Sequence, residues 1–154
     1  MDIKIETERL QKNRLMRNNE EIAEFELALD NFLELDDCEN MKYLLKGFDD
    51  KTEELGVTWR LVHIIESCRI HKERYYEIFA REVVKILDFA SEWVQILHIR
   101  ILNSPEELNK YAIVVKNLDN DIKNKIFQVM IKIKEEKAEK FSNKVNKFLE
   151  LQDN

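Results

Sequence analysis

The sequence predicts an all-α protein, because glycine and proline are scarce, the composition is amphipathic and helix-capping residues precede apolar stretches of helical period. Only two glycines and one proline occur among 154 residues, so tight hairpins and glycine-rich phosphate loops are nearly excluded. Charged residues make up 36% of the chain and apolar residues 44%. This mixture is typical of helices with one face in the core and the other in water.

The first third of the chain predicts two helices after a poorly periodic start. Residues 1–17 form either a loose arm or a weak first helix. A short helix from about Cys38, capped by Asp37, ends at Gly47, which we expect to adopt the left-handed conformation that glycine allows. Between these segments a helix begins near Asn19, with an apolar face made by Ile22, Phe25, Leu29 and Phe32.

The middle of the chain predicts four further helices. Asp50 or Thr52 can cap the first of them, which contains Gly56, and the second follows a turn around His71. The third, from Ser91 to about Leu102, is apolar on most sides, so we expect it to be buried. The fourth has the clearest start in the sequence, with a capping serine, proline at the first helical position and glutamate three residues after the cap: Ser104-Pro105-Glu106-Glu107.

A long final helix is predicted over residues 119–150, with the lysine- and glutamate-rich segment 134–140 solvated and projecting from the body. Helix pairs then begin near Glu20, Asp50, Ser91 and Asp119. This spacing predicts one domain, residues 1–154, built either as a short HEAT-like α-solenoid of antiparallel helix pairs or as a compact bundle.

Composition excludes several classes of function. No segment resembles a signal peptide or a membrane span, and the aromatic residues lack the basic stripe of a nucleic-acid-binding protein. Cys38 and Cys68 fit no metal or redox spacing, so we expect free thiols in a cytoplasmic protein. No motif predicts a metal or another cofactor.

The acidity is concentrated in one quarter of the chain. Residues 18–56 contain thirteen aspartates or glutamates and three lysines, a local balance of −10, whereas the whole chain has a net charge of −6. Such a surface repels nucleic acids and membranes and attracts basic partners, although it is equally typical of a solvated face that maintains solubility.

Two patterns in the middle of the chain invite a functional interpretation. His63 and Glu66 lie one helical turn apart, as metal ligands often do, but a buried hydrogen-bonded pair is the better expectation. Arg100 interrupts the apolar helix, and a buried arginine needs a carboxylate partner. We expect a structural clamp between helices formed by Asp49, Asp50, Glu66 and Arg100, with Asn103 as a helix cap.

Residues 20–118 resemble an all-helical family of immunity proteins, family thirty, from bacterial polymorphic toxin and contact-dependent inhibition systems. The resemblance depends on the order and spacing of three segments: Leu44-Leu45-Lys46-Gly47-Phe48-Asp49-Asp50, Leu61-Val62-His63-Ile64-Ile65-Glu66, and Glu92-Trp93 followed by Leu97-His98-Ile99-Arg100-Ile101-Leu102-Asn103. It implies a cytoplasmic inhibitor without enzymatic activity, whose partner is the C-terminal domain of one cognate toxin.

The local acidity fits an inhibitor of a basic toxin such as a nuclease. We therefore expect toxin contacts from carboxylates at helix ends and loops within residues 20–54, where side chains are accessible: Glu34, Asp36, Asp37, Glu39, Glu53 and Glu54. Two alternatives remain. One is a helical-repeat adaptor that binds another protein without any toxin, and the weaker one is an enzyme or metal protein built on His63, Glu66, His98 and Arg100.

Overall fold

The computed structural model describes residues 1–71 and 73–153, and within them it contains nine α-helices and no β-strand. The prediction of an all-α fold is confirmed. The helices are α1 (Ile3–Asn13), α2 (Asn19–Leu35), α3 (Met41–Leu44), α4 (Leu55–Glu66), α5 (Glu73–Val83), α6 (Leu87–Leu102), α7 (Pro105–Lys116), α8 (Asn120–Glu136) and α9 (Ala138–Glu150).

The first seventeen residues are an ordered part of the fold, so the loose-arm alternative is wrong. The Asp2 side chain caps α1 by accepting hydrogen bonds from the backbone amides of Lys4 and Ile5. Leu10 of α1 is fully buried, and Arg9 donates to Glu24 of α2 over 2.7 Å. Apolar packing and this ion pair hold α1 against α2.

Gly47 does not form the left-handed helix end that we expected. Asp37 does cap the turn that precedes α3, but no described glycine has a positive φ. Gly47 is buried instead, and a Cβ there would lie 3.0 Å from the Cδ2 atoms of both Leu10 and Leu61. Glycine suits this position because a side chain would force the ends of the two leucine side chains to shift. The left-handed residue in this region is Asp36, with φ 46°, at the C-terminus of α2.

α6 is kinked and buried mainly along one face, which corrects the expected burial on most of its sides. Ala90 has φ −138° and ψ 32°, so the predicted helix start at Ser91 is present as a break within α6. Trp93, Val94, Leu97, Ile101 and their neighbours are buried, whereas Ile96, Ile99 and Arg100 are only half-buried. α6 therefore has one face at the protein surface.

The predicted single helix over residues 119–150 is wrong, because the chain reverses at Lys137 (φ −136°, ψ 47°) and α9 folds back along α8. The solvated segment 134–140 contains no apolar residue apart from an alanine and forms the exposed end of the hairpin. Phe141, Val145 and Phe148 resume the apolar stripe and are buried. The hairpin is also linked by Lys134, which donates to Asn146 over 2.7 Å.

Most helices pack against the helix two positions further along the chain: α2 on α4, α3 on α5, α5 on α7, α6 on α8 and α7 on α9. Contacts of α5 with α8 and of α6 with α9 cross this stack. Both predicted architectures, stacked pairs and a compact bundle, are compatible with this pattern. The buried side chains of all these helices form one hydrophobic core. No helix in the described part of the chain is long and apolar enough to cross a membrane.

The two cysteines are paired, which corrects the expectation of free thiols. Cys38 and Cys68 form a disulfide, with their Cα atoms 5.6 Å apart. The bond joins the turn after α2 to the turn after α4. Sequence spacing could not show this proximity, because it arises from α2 and α4 lying side by side.

Candidate partner-binding site

α2 presents an acidic and partly apolar face to solvent. Residues 18–37 contain eight carboxylates and no basic residue. Buried side chains at helical spacing hold the other face on the core, so the outward face is Glu20, Ala23, Leu27, Asp30 and Glu34. Leu27 and Leu33 are 42% and 44% exposed. Apolar side chains are therefore accessible among carboxylates.

The six carboxylates that we expected to bind a toxin lie at two ends of the molecule. The Glu53 amide donates to the Leu15 carbonyl at the N-terminal end of α2, whereas the disulfide holds the C-terminal ends of α2 and α4 together. α2 and α4 are therefore parallel. Glu53 and Glu54 precede the twelve-residue α4 and lie about 18 Å from its other end, where the remaining four are found: Glu34, Asp36, Asp37 and Glu39.

These carboxylates also differ in their exposure and in the hydrogen bonds that they already accept within the protein. Glu34, Asp36 and Asp37 are exposed, although Asp37 also caps a turn. Glu39 accepts two hydrogen bonds from Arg74, the longer of 2.9 Å, and this arginine lowers the pKa of the Glu39 carboxyl. At the other end, Glu54 is half-buried and caps α4 by accepting from the Gly56 amide.

A groove of about 510 Å³ lies along the exposed face of α4 beside Leu33 of α2, and it was not anticipated from the sequence. It is lined by Leu33, Gly56, Trp59, Arg60, His63, Ile64 and Ser67. Arg60 donates to Asp30 over 2.6 Å, so one ion pair connects the two helices at the groove. His63 is 65% exposed and therefore not the buried partner of Glu66 that we expected. The groove thus has an apolar base and polar edges.

Arg100 lies beside this groove and contacts Glu66 of α4. Its Nε and one terminal nitrogen donate to the two Glu66 carboxylate oxygens, both over 2.7 Å, which raises the pKa of the guanidinium. Its guanidinium carbon lies 5.5 Å from the centre of the Trp59 ring. The Arg100 side chain is 36% exposed, which corrects the expectation of a buried arginine.

Glu66 is the least exposed residue in this cluster, with a side chain that is 11% exposed. Arg69 donates to it over 3.0 Å and lies 3.8 Å from Glu107 at the start of α7. The cluster therefore joins α4, the turn that follows it, α6 and α7. Its dense pairing is typical of a structural contact between helices.

Asp49 and Asp50 do not share the Arg100 contact, since each has other partners. Asp50 accepts hydrogen bonds from the amides of Glu92 and Trp93, at 3.1 and 3.2 Å, and its own amide donates to the Phe89 carbonyl. It therefore caps the part of α6 that follows the kink. Asp49 accepts from Arg14 of the loop after α1 over 3.1 Å. The capping role expected of Asp50 or Thr52 at the start of α4 belongs to Glu54.

Asn103 is the C-terminal capping residue of α6, and its side chain points to another helix. The Asn103 amide oxygen accepts a hydrogen bond from Lys144 of α9 over 2.9 Å. Asn103 is exposed and has no contact with Glu66 among its hydrogen bonds. It therefore connects α6 to the C-terminal hairpin and is separate from the Arg100–Glu66 pair.

His98, which sequence reasoning had placed in a weak metal-site hypothesis, lies in the core. It is fully buried, and its ring nitrogens contact the Val94 carbonyl and the Tyr111 hydroxyl, both at 2.7 Å. Burial lowers the pKa of His98 to about 4. No group of three potential metal ligands occurs within the described ranges. The expected Arg100, Glu66 and His63 grouping is on the surface, so His98 does not join it.

An outer face that combines exposed leucines with carboxylates is typical of a helical protein that binds another protein. The family model described as Immunity protein 30 matches residues 12–111, well over half of the chain. The chain belongs to this family of immunity proteins. No curated protein and no solved structure matches it. The family match begins within α1 and ends within α7, so it includes the groove, the Arg100 cluster and the Asp50 cap.

Proposed function

We propose that this protein binds the C-terminal effector domain of a cognate bacterial toxin and neutralises it by covering the active or substrate-binding site. The observation that carries this proposal is the match to an immunity protein family over residues 12–111. The inhibitor acts in the cytoplasm of the cell that it protects, without enzymatic activity of its own, and its Cys38–Cys68 disulfide has to persist against the reducing thiols of that compartment. Binding alone suffices for this role.

The charge of α2 supports a basic toxin, such as a nuclease whose substrate groove is positive. Arginines from other elements pair with three of the eight carboxylates in residues 18–37, and the carboxylates without such a partner produce a negative field on one side of α2: Glu20, Glu26, Glu34, Asp36 and Asp37. Such a field mainly accelerates association with a positive surface, and dissolved salt screens it. A negatively charged inhibitor also competes directly with a phosphate backbone for the same groove.

Among the six expected contact residues, the structure favours the group at the C-terminal end of α2. Glu34, Asp36 and Asp37 are exposed there, and no basic residue occurs in residues 18–37. Glu39 contributes as part of its pair with Arg74, while Glu53 and Glu54 lie too far away to share one small contact area with them. A larger toxin surface can still reach both groups.

Co-expression tests the proposal directly. The effector domain encoded by the toxin gene next to this gene is expressed with and without the wild-type protein, and growth and binding are measured. We expect growth to be restored and a stable complex to form. Death of cells that contain both proteins, with no complex in vitro, would contradict an immunity function and leave the helical adaptor as the better hypothesis.

The charge component has its own test, a variant with lysine in place of Glu34, Asp36 and Asp37. We expect its association rate with the toxin to fall by about tenfold or more at low salt, with a smaller difference at high salt. A control variant has lysine at Glu135, Glu136 and Glu139, three exposed carboxylates at the opposite hairpin. Salt-insensitive association and full protection by the α2 variant would move the interface away from α2, with the lysine-rich C-terminal hairpin as the next surface to test.

A further inference from the structure

The groove between α2 and α4 has an accessible apolar centre. Leu33 is 44% exposed at its edge. Trp59 and Ile64 are half-buried within it. Exposed apolar side chains scattered singly are ordinary, but several around one groove are typical of a surface that is covered by a partner.

Gly56 keeps the groove open. A Cβ atom built at Gly56 would meet only the end of the Glu54 side chain, at 3.3 Å, so the space above it is unfilled. The glycine is at the second position of α4 and is exposed, and α4 has no break there. It therefore produces a depression on the helix surface into which another side chain can fit.

The base of the groove is held in place by aromatic and charged contacts. The Trp59 ring packs edge-on against the ring of Trp93, with 5.5 Å between their centres, and Trp93 in turn contacts Phe48 at 5.5 Å. Arg100 lies over the other side of Trp59 while bound to Glu66. A rigid apolar base loses little conformational entropy when a partner binds.

The polar lining of the groove is Arg60, His63 and Ser67, and the acidic face of α2 borders it. Asp30 is 58% exposed, and its partner Arg60 is balanced by it, so the pair adds no net charge. Glu26 and Glu34 flank Asp30 on α2, and they have no basic residue on their own helix to compensate them. An apolar groove beside an acidic helix face is complementary to an apolar side chain flanked by lysine or arginine.

We propose that the α2–α4 groove is the docking site for the toxin, and that it receives an aliphatic or aromatic side chain from a basic segment of the effector domain. This inference rests on the proposed immunity function and specifies the surface that performs it. The inserted side chain packs over Gly56 and against Leu33 and Trp59. Basic residues beside it pair with Glu34 and Glu26 of α2.

Two substitutions test the docking site without removing any buried side chain. Gly56→Arg fills the depression, and Leu33→Lys puts a positive charge at its edge. The matched control is Ile131→Lys on α8, where the replaced residue is 43% exposed, almost the same as Leu33. Circular dichroism melts are recorded for all three variants, so that binding is compared between folded proteins.

Affinity for the neighbouring toxin's purified effector domain is measured by calorimetry, and protection is measured by co-expression. We expect Gly56→Arg and Leu33→Lys each to weaken binding by about 30-fold or more, the effect of losing a central interface residue, and to reduce protection. Ile131→Lys is expected to bind and protect like the wild type.

The outcomes separate this inference from the proposed function. If wild type protects and both groove variants bind with unchanged affinity, the groove is not the docking site, although the immunity function stands. If the wild type neither binds nor protects, both proposals are wrong. The chain alone is also examined by analytical ultracentrifugation, and a dimer that Gly56→Arg disperses would assign the groove to a second copy of this chain and overturn the toxin assignment.

Discussion

Lowering the pH from 7 to 4 is expected to destabilise the fold through His98, because the folded protein holds this histidine in its neutral form. The Val94 carbonyl can only accept, so the His98 Nδ1 carries the proton and donates to it, while Nε2 accepts from the Tyr111 hydroxyl. A second proton on Nε2 would oblige the Tyr111 hydroxyl to become the acceptor of that bond and would place a charge in the core. Burial, partly opposed by the Val94 bond, accordingly lowers the pKa of His98 from 6.5 to about 4.

The sign and size of the effect follow from proton linkage. Between pH 6.5 and about 4 the unfolded chain binds a proton that the folded chain does not, so the free energy of unfolding falls as the pH falls. The full contribution is present above pH 6.5. With about 1.4 kcal/mol lost per pH unit, the loss reaches about 3 kcal/mol near pH 4 and then stops, because both states are protonated.

Urea unfolding at several values between pH 7 and pH 4 measures this loss. His98→Gln removes the titrating group while a side-chain amide can still donate and accept, and His63→Gln, at a position that is 65% exposed, is the matched control. We expect the stability of wild type to approach or fall below that of His98→Gln as the pH decreases, with His63→Gln parallel to wild type. Parallel pH profiles for wild type and His98→Gln would refute the assigned pKa shift.

Three further predictions concern the contacts that hold the helices together, and each is measured by chemical unfolding. Arg100→Ala should cost about 1–2 kcal/mol, less than for a fully buried pair, because the arginine is 36% exposed and Glu66 keeps Arg69 as a partner; a loss near zero would show that the pair contributes nothing. Asp50→Ala should cost about 1–2 kcal/mol by leaving the amides at the α6 kink without acceptors, whereas a wild-type stability would exclude this capping role. Replacing Cys38 and Cys68 with serine should cost about 3–4 kcal/mol, since the bond closes a loop with a sequence separation of 30, and free thiols in the oxidised native protein would contradict the pairing.

Helix starts were predictable wherever the capping group is close in sequence. Ser104 accepts from the Glu107 amide, and Asp37 accepts from the Glu39 amide, so both signals can be found within a four-residue window. Asp50 shows the limit of this reasoning. The amides that it caps are more than forty positions away, at Glu92 and Trp93, and only the packing of the loop before α4 against α6 brings them together.

Side-chain exposure was harder to predict from periodicity than helix position. We expected Arg100 to be buried because its neighbours in sequence are apolar. In the structure, Arg100, Ile96 and Ile99 are all half-buried. Apolar residues on three sides of a helix do not show which sides are covered by other helices. The same uncertainty affected the final helix, where the polar segment 134–140 was compatible with a projecting helix and with the observed reversal at Lys137.

The candidate site was only partly predictable for a related reason. Local charge counts identified the acidity of α2, but they could not distinguish Glu34, which is exposed, from Glu39, which is bound to Arg74 thirty-five positions later. The groove arises from the distance between two helices and from the absent side chain of Gly56. Its best sequence clue was Gly56, a glycine in an otherwise amphipathic helix one turn before Trp59.

The structural contacts and the proposed docking site depend on each other through Trp59. The Arg100–Glu66 pair fixes α4 to α6, and Arg100 covers one side of the Trp59 ring. Asp50 positions the start of the same part of α6, including Trp93, against which Trp59 packs. Loss of either contact should therefore disturb the base of the groove as well as the stability of the fold. With the groove as the proposed docking site, Arg100, Glu66 and Asp50 are positioning residues for partner binding, even though none of them needs to touch the toxin.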